Sequence, residues 1–419
     1  MRRTFASLRK HRNYRLFFVG QLVSVSGTWM QMVALAWFVV DQTRSPIAVG
    51  ILAFCRFVPF TLFGLTAGVL ADRFDNRRLM MTTQAAAMGV SVALAVLALT
   101  GAAQLWHIYL LAALGGTATV FDAPGRHALT FQMVGREELP NAVALNATLF
   151  NASRILGPAV AGVLIAAVGA GACFAVNAVS FLAVLGALGL MRPEELHPVA
   201  RAETRPTMLR GAREGLAYAR RTRVVWVTLV ITTVLSTIGF NFNVLVPVLA
   251  RETLDAGPQV FGSLSASFGA GALAGALLSA WIGRASWKAL LAGTAGFGAS
   301  VLVLAPLTTV AGAAALLFAA GVFFILWNSN TQSILQLTAP DHLRGRVLSL
   351  FLFAFAGLAP LGGLFAGWLA HAGGTRLAFA AAGTAGLAMA GLGWWKSPFR
   401  EPVVPGPARL EPGFVHRPE

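Results

Sequence analysis

Gly68-Val69-Leu70-Ala71-Asp72-Arg73-Phe74-Asp75-Asn76-Arg77-Arg78-Leu79 is a short charged break between two long apolar runs. Residues 47–71 before it carry one charge, Arg56, and residues 79–100 after it carry none. Runs of about 20 apolar residues are the length that crosses a bilayer as helix. Asp72 closes the first run and is placed to accept hydrogen bonds from a neighbouring helix N-terminus, while the arginines hold the headgroup level.

Working outward, a 19-residue window finds ten further runs. In the first half the spans are 16–40, 47–71, 79–100, 105–124, 142–168 and 171–191. In the second they are 224–250, 259–283, 287–306, 310–330, 346–371 and 376–395. The 419 residues are 57% hydrophobic and 11% charged, with mean hydropathy +0.70. A soluble domain carries about 25% charged residues, so lipid is the main solvent here. The expected fold class is therefore an all-α membrane protein of twelve transmembrane helices in two pseudo-symmetric six-helix bundles.

Net charge is +16, but the cations are spread through short connections instead of one soluble face, which argues against nucleic acid as partner. Of 32 Lys and Arg, 27 fall in the N-terminal arm, alternate connections and the tail. Only Arg44, Arg251 and Arg376 fall in the other connections, and Arg56 and Arg154 lie inside spans. The positive-inside rule then puts both termini in the cytoplasm of a multi-pass inner-membrane protein. The start resembles a signal peptide, with Arg2, Arg3, Arg9 and Lys10, but its apolar run is too long and ends in no small-residue cleavage site.

The expected division is 1–191 as an N-terminal bundle, 192–223 as a cytoplasmic linker, 224–396 as a C-terminal bundle and 397–419 as a disordered cytoplasmic tail. Within the linker, Met208–Arg221 reads as an amphipathic helix on the membrane surface. A repeat supports the two halves. Phe131-Gln132-Met133, Glu137, Leu139 and Val143 lead into Gly157-Pro158-Ala159-Val160-Ala161-Gly162. About 204 positions later, Leu335-Gln336-Leu337, Asp341, Leu343 and Val347 lead into Gly362-Gly363-Leu364-Phe365-Ala366-Gly367.

The break at residues 68–79 resembles the signature loop of the major facilitator superfamily, which often has Gly where Asp75 stands. The resemblance implies that Gly68, Asp72, Arg73, Arg77 and Arg78 help latch the halves on the cytoplasmic side. Gly157-Pro158 through Gly162 resembles the motif of exporters in that superfamily, where proline lets a helix bend and small residues let a partner approach. Gln21-Leu22-Val23-Ser24, Gly27-Thr28-Trp29-Met30-Gln31, Asp122-Ala123-Pro124-Gly125-Arg126 and Leu139-Pro140-Asn141-Ala142, with Asn146, Asn151 and Arg154, resemble its enterobactin-exporter-like and macrolide-efflux-like branch. The resemblance runs from Asn13 to about Lys396. It implies efflux of a siderophore, macrolide or other drug-like amphiphile; a monomeric secondary-active exporter working by alternating access, with protons as coupling ion, is the default expectation for a chain without its own ATP site. The arginine that drug–proton antiporters often carry in the fourth helix has no counterpart between Leu105 and Val120.

Arg56 and Arg154 fall near mid-depth, and an arginine there costs about 2.5–3.5 kcal/mol, so each needs a reason. One reading has both face a central cavity and favour an anionic substrate; the other has them bind backbone carbonyls or reach Asp41. Trp29, Gln31, Asn151, Asn177, Phe240 and Asn241 complete the candidate substrate wall, with the asparagines equally suited to joining helices. No Asp or Glu lies at mid-depth, so Asp41, Asp122 and the neighbouring Arg126 are the coupling candidates.

No phosphate-binding loop with its Lys and Ser/Thr is present, which excludes ATP hydrolysis by this chain. Cys55 and Cys173 lie in apolar runs, and no histidine pair has ligand spacing, so no metal, cofactor or enzymatic centre is expected. Two other readings stand beside export: a lysophospholipid or lipid transporter, and a membrane sensor that keeps the fold without transport.

Overall fold

The computed structural model describes residues 5–197 and 208–397, except the side chains of residues 65, 68–73, 208–212, 341 and 342. The expected latch residues Gly68, Asp72 and Arg73 therefore lie outside the described side chains, and the expected tail lies outside from residue 398 onward. Among the described residues, ten continuous helical stretches are long and apolar enough to cross a membrane. Two of them fold back on themselves, which gives the twelve crossings expected.

Leu105–Val168 is the first such stretch. As one rod its 64 residues would reach about 96 Å, three times the hydrocarbon core. Gly135 instead takes φ 70° and ψ −175°, and Asn146 Nδ2 returns to within 3.3 Å of Thr130 Oγ1. Only a residue without Cβ adopts that left-handed angle cheaply. These two limbs are the fourth and fifth spans. Gly373 and Gly374 break Ala359–Trp395 in the same way, dividing the eleventh span from the twelfth.

The first span is Arg12–Thr43, the second Pro46–Arg73, the third Asn76–Leu99 and the sixth Ala170–Gly189. The eighth, ninth and tenth are Pro258–Ile282, Trp287–Leu304 and Val310–Thr338. Local chemistry starts two of them: Asp75 and Ser286 cap the third and ninth by accepting from the backbone N–H of Arg78 and Ala289.

The seventh span departs from the simple helix expected over 224–250. After Arg223–Val234 comes a π-turn at Leu235–Gly239, a non-helical Phe240–Asn241 pair, the short helix Phe242–Val248, and a second π-turn at Leu249–Thr253. The eleventh span carries another π-turn at Phe353–Gly357, between Asp341–Leu352 and Ala359. The linker helix falls at Met208–Arg221 as expected. It docks on protein: Tyr218 Oη donates to the Thr338 carbonyl at 3.0 Å and Glu214 pairs with Arg346.

The buried core shows how the halves meet. At the end bearing the basic connections it is split in two. Tyr14, Phe17, Met80 and Leu129 form a cluster in the first half, and Val225, Leu335, Val347 and Phe351 form a separate one in the second. At the opposite end a single cluster runs through both halves, joining Val39, Val49 and Ile165 to Val246, Phe261 and Ala366.

Glycine makes that junction possible. A Cβ on Gly162 would lie 2.9 Å from the Pro258 oxygen, and one on Gly262 would lie 2.7 Å from the Gly162 Cα. A Cβ on Gly50 would lie 2.8 Å from the Gly363 oxygen, and one on Gly367 would lie 2.7 Å from the Pro46 oxygen. The fifth span thus touches the eighth backbone to backbone, and the second touches the eleventh likewise. Gly162 and Gly367 stand 205 positions apart, so the sequence repeat places equivalent glycines at equivalent crossings.

Gly162→Leu is expected to hold this end apart, because overpacking a close crossing costs about 1–3 kcal/mol. Spin labels on Gln42→Cys and Gln259→Cys, at the mouths of the first and eighth spans, should report a new population at longer distance. An unchanged distance distribution would show that the crossing does not set the closure.

Candidate functional site

The fifth span carries Arg154 to the contact between the halves. One turn further on, Gly157 fixes its approach: a Cβ there would meet the Trp29 Cβ at 2.5 Å and the Ser26 oxygen at 2.8 Å. Ser26 and Ser153 hydroxyls join the same two helices at 3.0 Å. Pro158 follows, its carbonyl oxygen 2.7 Å from where a Cβ on Gly262 would sit. Held this way, the Arg154 guanidinium carbon lies 5.6 Å from the Trp29 ring of its own half. It lies 4.7 Å from Phe268 and 5.7 Å from Phe324 of the other half.

Those rings belong to a larger aromatic cluster. Phe240 stacks on Phe324 at 4.2 Å, and Phe242, Phe297, Trp327 and Phe355 continue it. Aromatic faces attract a guanidinium through their quadrupoles, by about 2 kcal/mol where water is excluded. Yet Arg154, 9% exposed, makes no hydrogen bond or ion pair among the described residues. Its five N–H donors meet no acceptor among the described residues. Arg56 is partly buried in the second span and likewise lacks a partner among the described residues. Its carbonyl oxygen lies against the fourth span, 2.1 Å from where a Cβ on Gly116 would sit.

The polar candidates separate into different places. Asn177 is fully buried and donates to Gln31 Oε1 at 2.8 Å and Ser91 Oγ at 3.2 Å, which ties the sixth, first and third spans inside one half. Asn151 donates to the Ala147 carbonyl in its own helix. Asn241 donates to the Thr237 carbonyl at 2.8 Å across the break in the seventh span. Only Trp29 and Phe240 join Arg154 in one aromatic environment.

Charges at the two ends also separate. At the closed end Asp41 meets Arg251 at 3.1 Å, bridging the first and seventh spans, so Asp41 is not the partner of Arg56. Arg251 lies 6.0 Å from the Trp37 ring, and that ring stacks on Phe261 at 5.8 Å. Asp41, Arg251 and Trp37 line a vestibule of about 500 Å³ together with Pro258 and Gln259. Toward the basic end, Asp122 is buried and pairs with Arg126. It also accepts from Gln84 Nε2 at 2.8 Å and Thr83 Oγ1 at 3.1 Å. Arg77 donates to the Leu188 and Gly189 carbonyls at 2.6 and 3.1 Å, capping the sixth span within its own half. The Arg78 amide closes the Asp75 cap at 2.8 Å.

Phe268, Phe324 and Arg251 are the site residues that sequence reasoning missed. In apolar runs a phenylalanine facing a cation and one facing lipid read alike. Arg251 was visible only as one of three cations on the sparse side.

Comparison with known proteins gives the same architecture. A family model described as transmembrane secretion effector matches residues 2–402. The staphyloferrin A transporter of Staphylococcus aureus is 26% identical over 84% of this chain and 87% of its own. Macrolide efflux protein A of Streptococcus pyogenes is 24% identical over 82% and 86%, and the multidrug efflux pump Tap of Mycolicibacterium fortuitum 27% over 87% and 91%. Among solved structures, the peptide transporter POT in complex with sulfate superposes with TM-score 0.77 at 13% identity, covering 93% of this chain and 94% of that one. The nucleoside transporter NupG does so with TM-score 0.70 at 12% identity, covering 92% and 97%. With nearly the whole sequence matched and two six-helix bundles meeting at Arg154, this protein belongs to the transmembrane secretion effector family of the major facilitator superfamily and is a transporter, not an enzyme.

Proposed function

We propose that the protein is a secondary-active exporter of a small amphiphile bearing an acidic group, seated in the inner membrane with both termini in the cytoplasm. The observation that carries this reading is the Arg154 guanidinium, set on aromatic faces from both halves and given no acceptor among the described residues. A carboxylate or phenolate supplies the missing acceptor, and the aromatic walls take up the apolar body of the same molecule. Relatives that are named for a siderophore, a macrolide and multiple drugs support an amphiphile of this size as cargo.

In the proposed orientation, the split core at the basic end opens toward the cytoplasm, where cargo is loaded. Release needs the Gly162–Gly262 and Gly50–Gly367 crossings to part, along with the Asp41–Arg251 pair. Protonation of Asp41 from outside removes one half of that pair and so couples proton entry to opening. Asp122, held by three side chains within one half, is the less suited of the two coupling candidates.

Arg154→Gln in proteoliposomes is expected to cut transport of an acidic amphiphile by about tenfold or more, the worth of a hydrogen-bonded charge at about 1.5–3 kcal/mol. A basic amphiphile of similar size should be little affected, and Arg154→Lys should recover part of the loss by restoring the charge without the fork. Equal losses for both substrates would assign Arg154 to packing alone. For coupling, substrate efflux should be accompanied by opposed proton movement that Asp41→Asn abolishes. Efflux with no pH change in the lumen would leave facilitated diffusion.

A further inference from the structure

The two halves close the gap between their third and sixth helices by different means. In the first half, Arg77, second residue of the third span, reaches across to the Leu188 and Gly189 carbonyls at the end of the sixth. In the second half, Lys288 is the second residue of the ninth span and stands at the matching place. There the tie is made by its neighbour: Trp287 Nε1 donates to the Gly393 carbonyl of the twelfth span at 3.2 Å. Lys288 is exposed and makes no hydrogen bond or ion pair among the described residues.

The ammonium group is thereby left at the mouth of a groove of about 450 Å³ between the ninth and twelfth spans. Ala292 and Ala295 form one wall, and Ala390, Gly391 and Trp394 the other. Lys288, Ala292 and Ala295 follow the i, i+4, i+7 register of one helix face, so the groove descends about 10 Å from Lys288 into the hydrocarbon. A Cβ on Gly391 would meet nothing within 4 Å, so the depth is open to a guest. Lys288 and the indole of Trp394, 68% exposed, are the large side chains at the groove's rim. Residues 281–288 and 390–397 contain no Asp or Glu.

We propose that this groove is a binding site for an anionic glycerophospholipid, with one acyl chain between the ninth and twelfth spans and the phosphate on Lys288. The walls offer an acyl chain only apolar contact. The mouth carries the Lys288 ammonium, which has no acidic partner among the described residues, beside Trp394, the residue type that marks the headgroup layer. A zwitterionic lipid meets the same walls but brings its own cation to the mouth. The groove lies on the lipid-facing side of one half, away from Arg154, so it is separate from the transported cargo.

The test is native mass spectrometry of the full-length protein from detergent, with dioleoyl phosphatidylglycerol or dioleoyl phosphatidylcholine added at equal concentration. Phosphatidylglycerol should be retained preferentially. Lys288→Gln should reduce that retention by about fivefold, the effect of one interfacial cation, and leave phosphatidylcholine unchanged. Gly391→Leu, whose Cβ would meet nothing within 4 Å and whose side chain would take up groove volume, should reduce retention of both lipids. Thermal unfolding supplies a second readout: phosphatidylglycerol should raise the melting temperature of the native protein, and sodium phosphate at the same concentration should not. Equal retention of the two lipids, or a preference that survives Lys288→Gln, overturns the proposal. So does a melting-temperature rise with phosphate equal to that with the lipid, which would make the site one for a free anion.

Discussion

Two backbone-to-backbone crossings at one end of the molecule govern everything else in it. In lipid no hydrophobic force drives helices together, so association rests on close van der Waals contact and on interhelical hydrogen bonds. Where Gly162 meets Gly262 and Gly50 meets Gly367, no side chain intervenes. These contacts close one end, merge the cores of both halves there, and leave the basic end split. Arg154 lies eight residues, about 12 Å, along the fifth span from Gly162. Its contacts with Phe268 and Phe324 therefore depend on the same approach of the fifth span to the eighth. Separation of the crossings would pull the cation off two of its three aromatic faces. Closure and the environment of the charge are one variable.

How much of this was legible in the sequence depended on whether a property is carried by depth or by direction. Depth is legible. The apolar runs, the returns between residues 124 and 142 and between 371 and 376, and the linker helix Met208–Arg221 all follow from where polar residues can stand relative to lipid, whereas Gly135 and Gly374 as the turning residues do not. The repeat was legible too, since Gly162 and Gly367 serve the same crossing in their two halves. Direction was not. Asn177 and Asn241 both sit within apolar runs, but one ties three helices together and the other patches a broken helix. Arg77 reads as part of a latch between halves; with the basic end split, as here, it donates to carbonyls of the sixth span. Asp41 lies 210 positions from Arg251, and nothing local to either announces the other.

The cost of burying Arg154 bears on why it is there. A central arginine is disfavoured by about 2.5–3.5 kcal/mol. Desolvated cation–π contact returns about 2 kcal/mol, and three rings around one guanidinium do not add in full. The two figures nearly balance, with no acceptor for the donors among the described residues. A carboxylate partner from the chain would have stabilised the resting protein more, but it would also have occupied the fork. An arginine kept by aromatic faces alone is affordable in the empty protein and still open to an anion, and that combination suits a carrier that must bind and then let go.

The halves also differ in helix continuity. The first span is an unbroken 32-residue helix, whereas the seventh, at the corresponding place in the second half, contains two π-turns and the Phe240–Asn241 break. A π-turn frees backbone carbonyls and commonly marks a functional bend. In the eleventh span the freed groups are taken from outside. Ser236 of the seventh span donates to the Ala354 oxygen at 2.6 Å, and Thr61 of the second span donates to the Gly357 oxygen at 2.6 Å. One π-turn is thus bonded to another in its own half and to a helix of the opposite half. Phe240, stacked on Phe324 over the guanidinium, sits at the end of the first of these turns. Bending of the seventh span at Phe240 would shift the ring that backs Phe324, one of the three rings against Arg154, whereas Trp29 stands on the continuous first span. The broken helix beside the pocket belongs to the second half, and the charge and the continuous helix that carries Trp29 belong to the first.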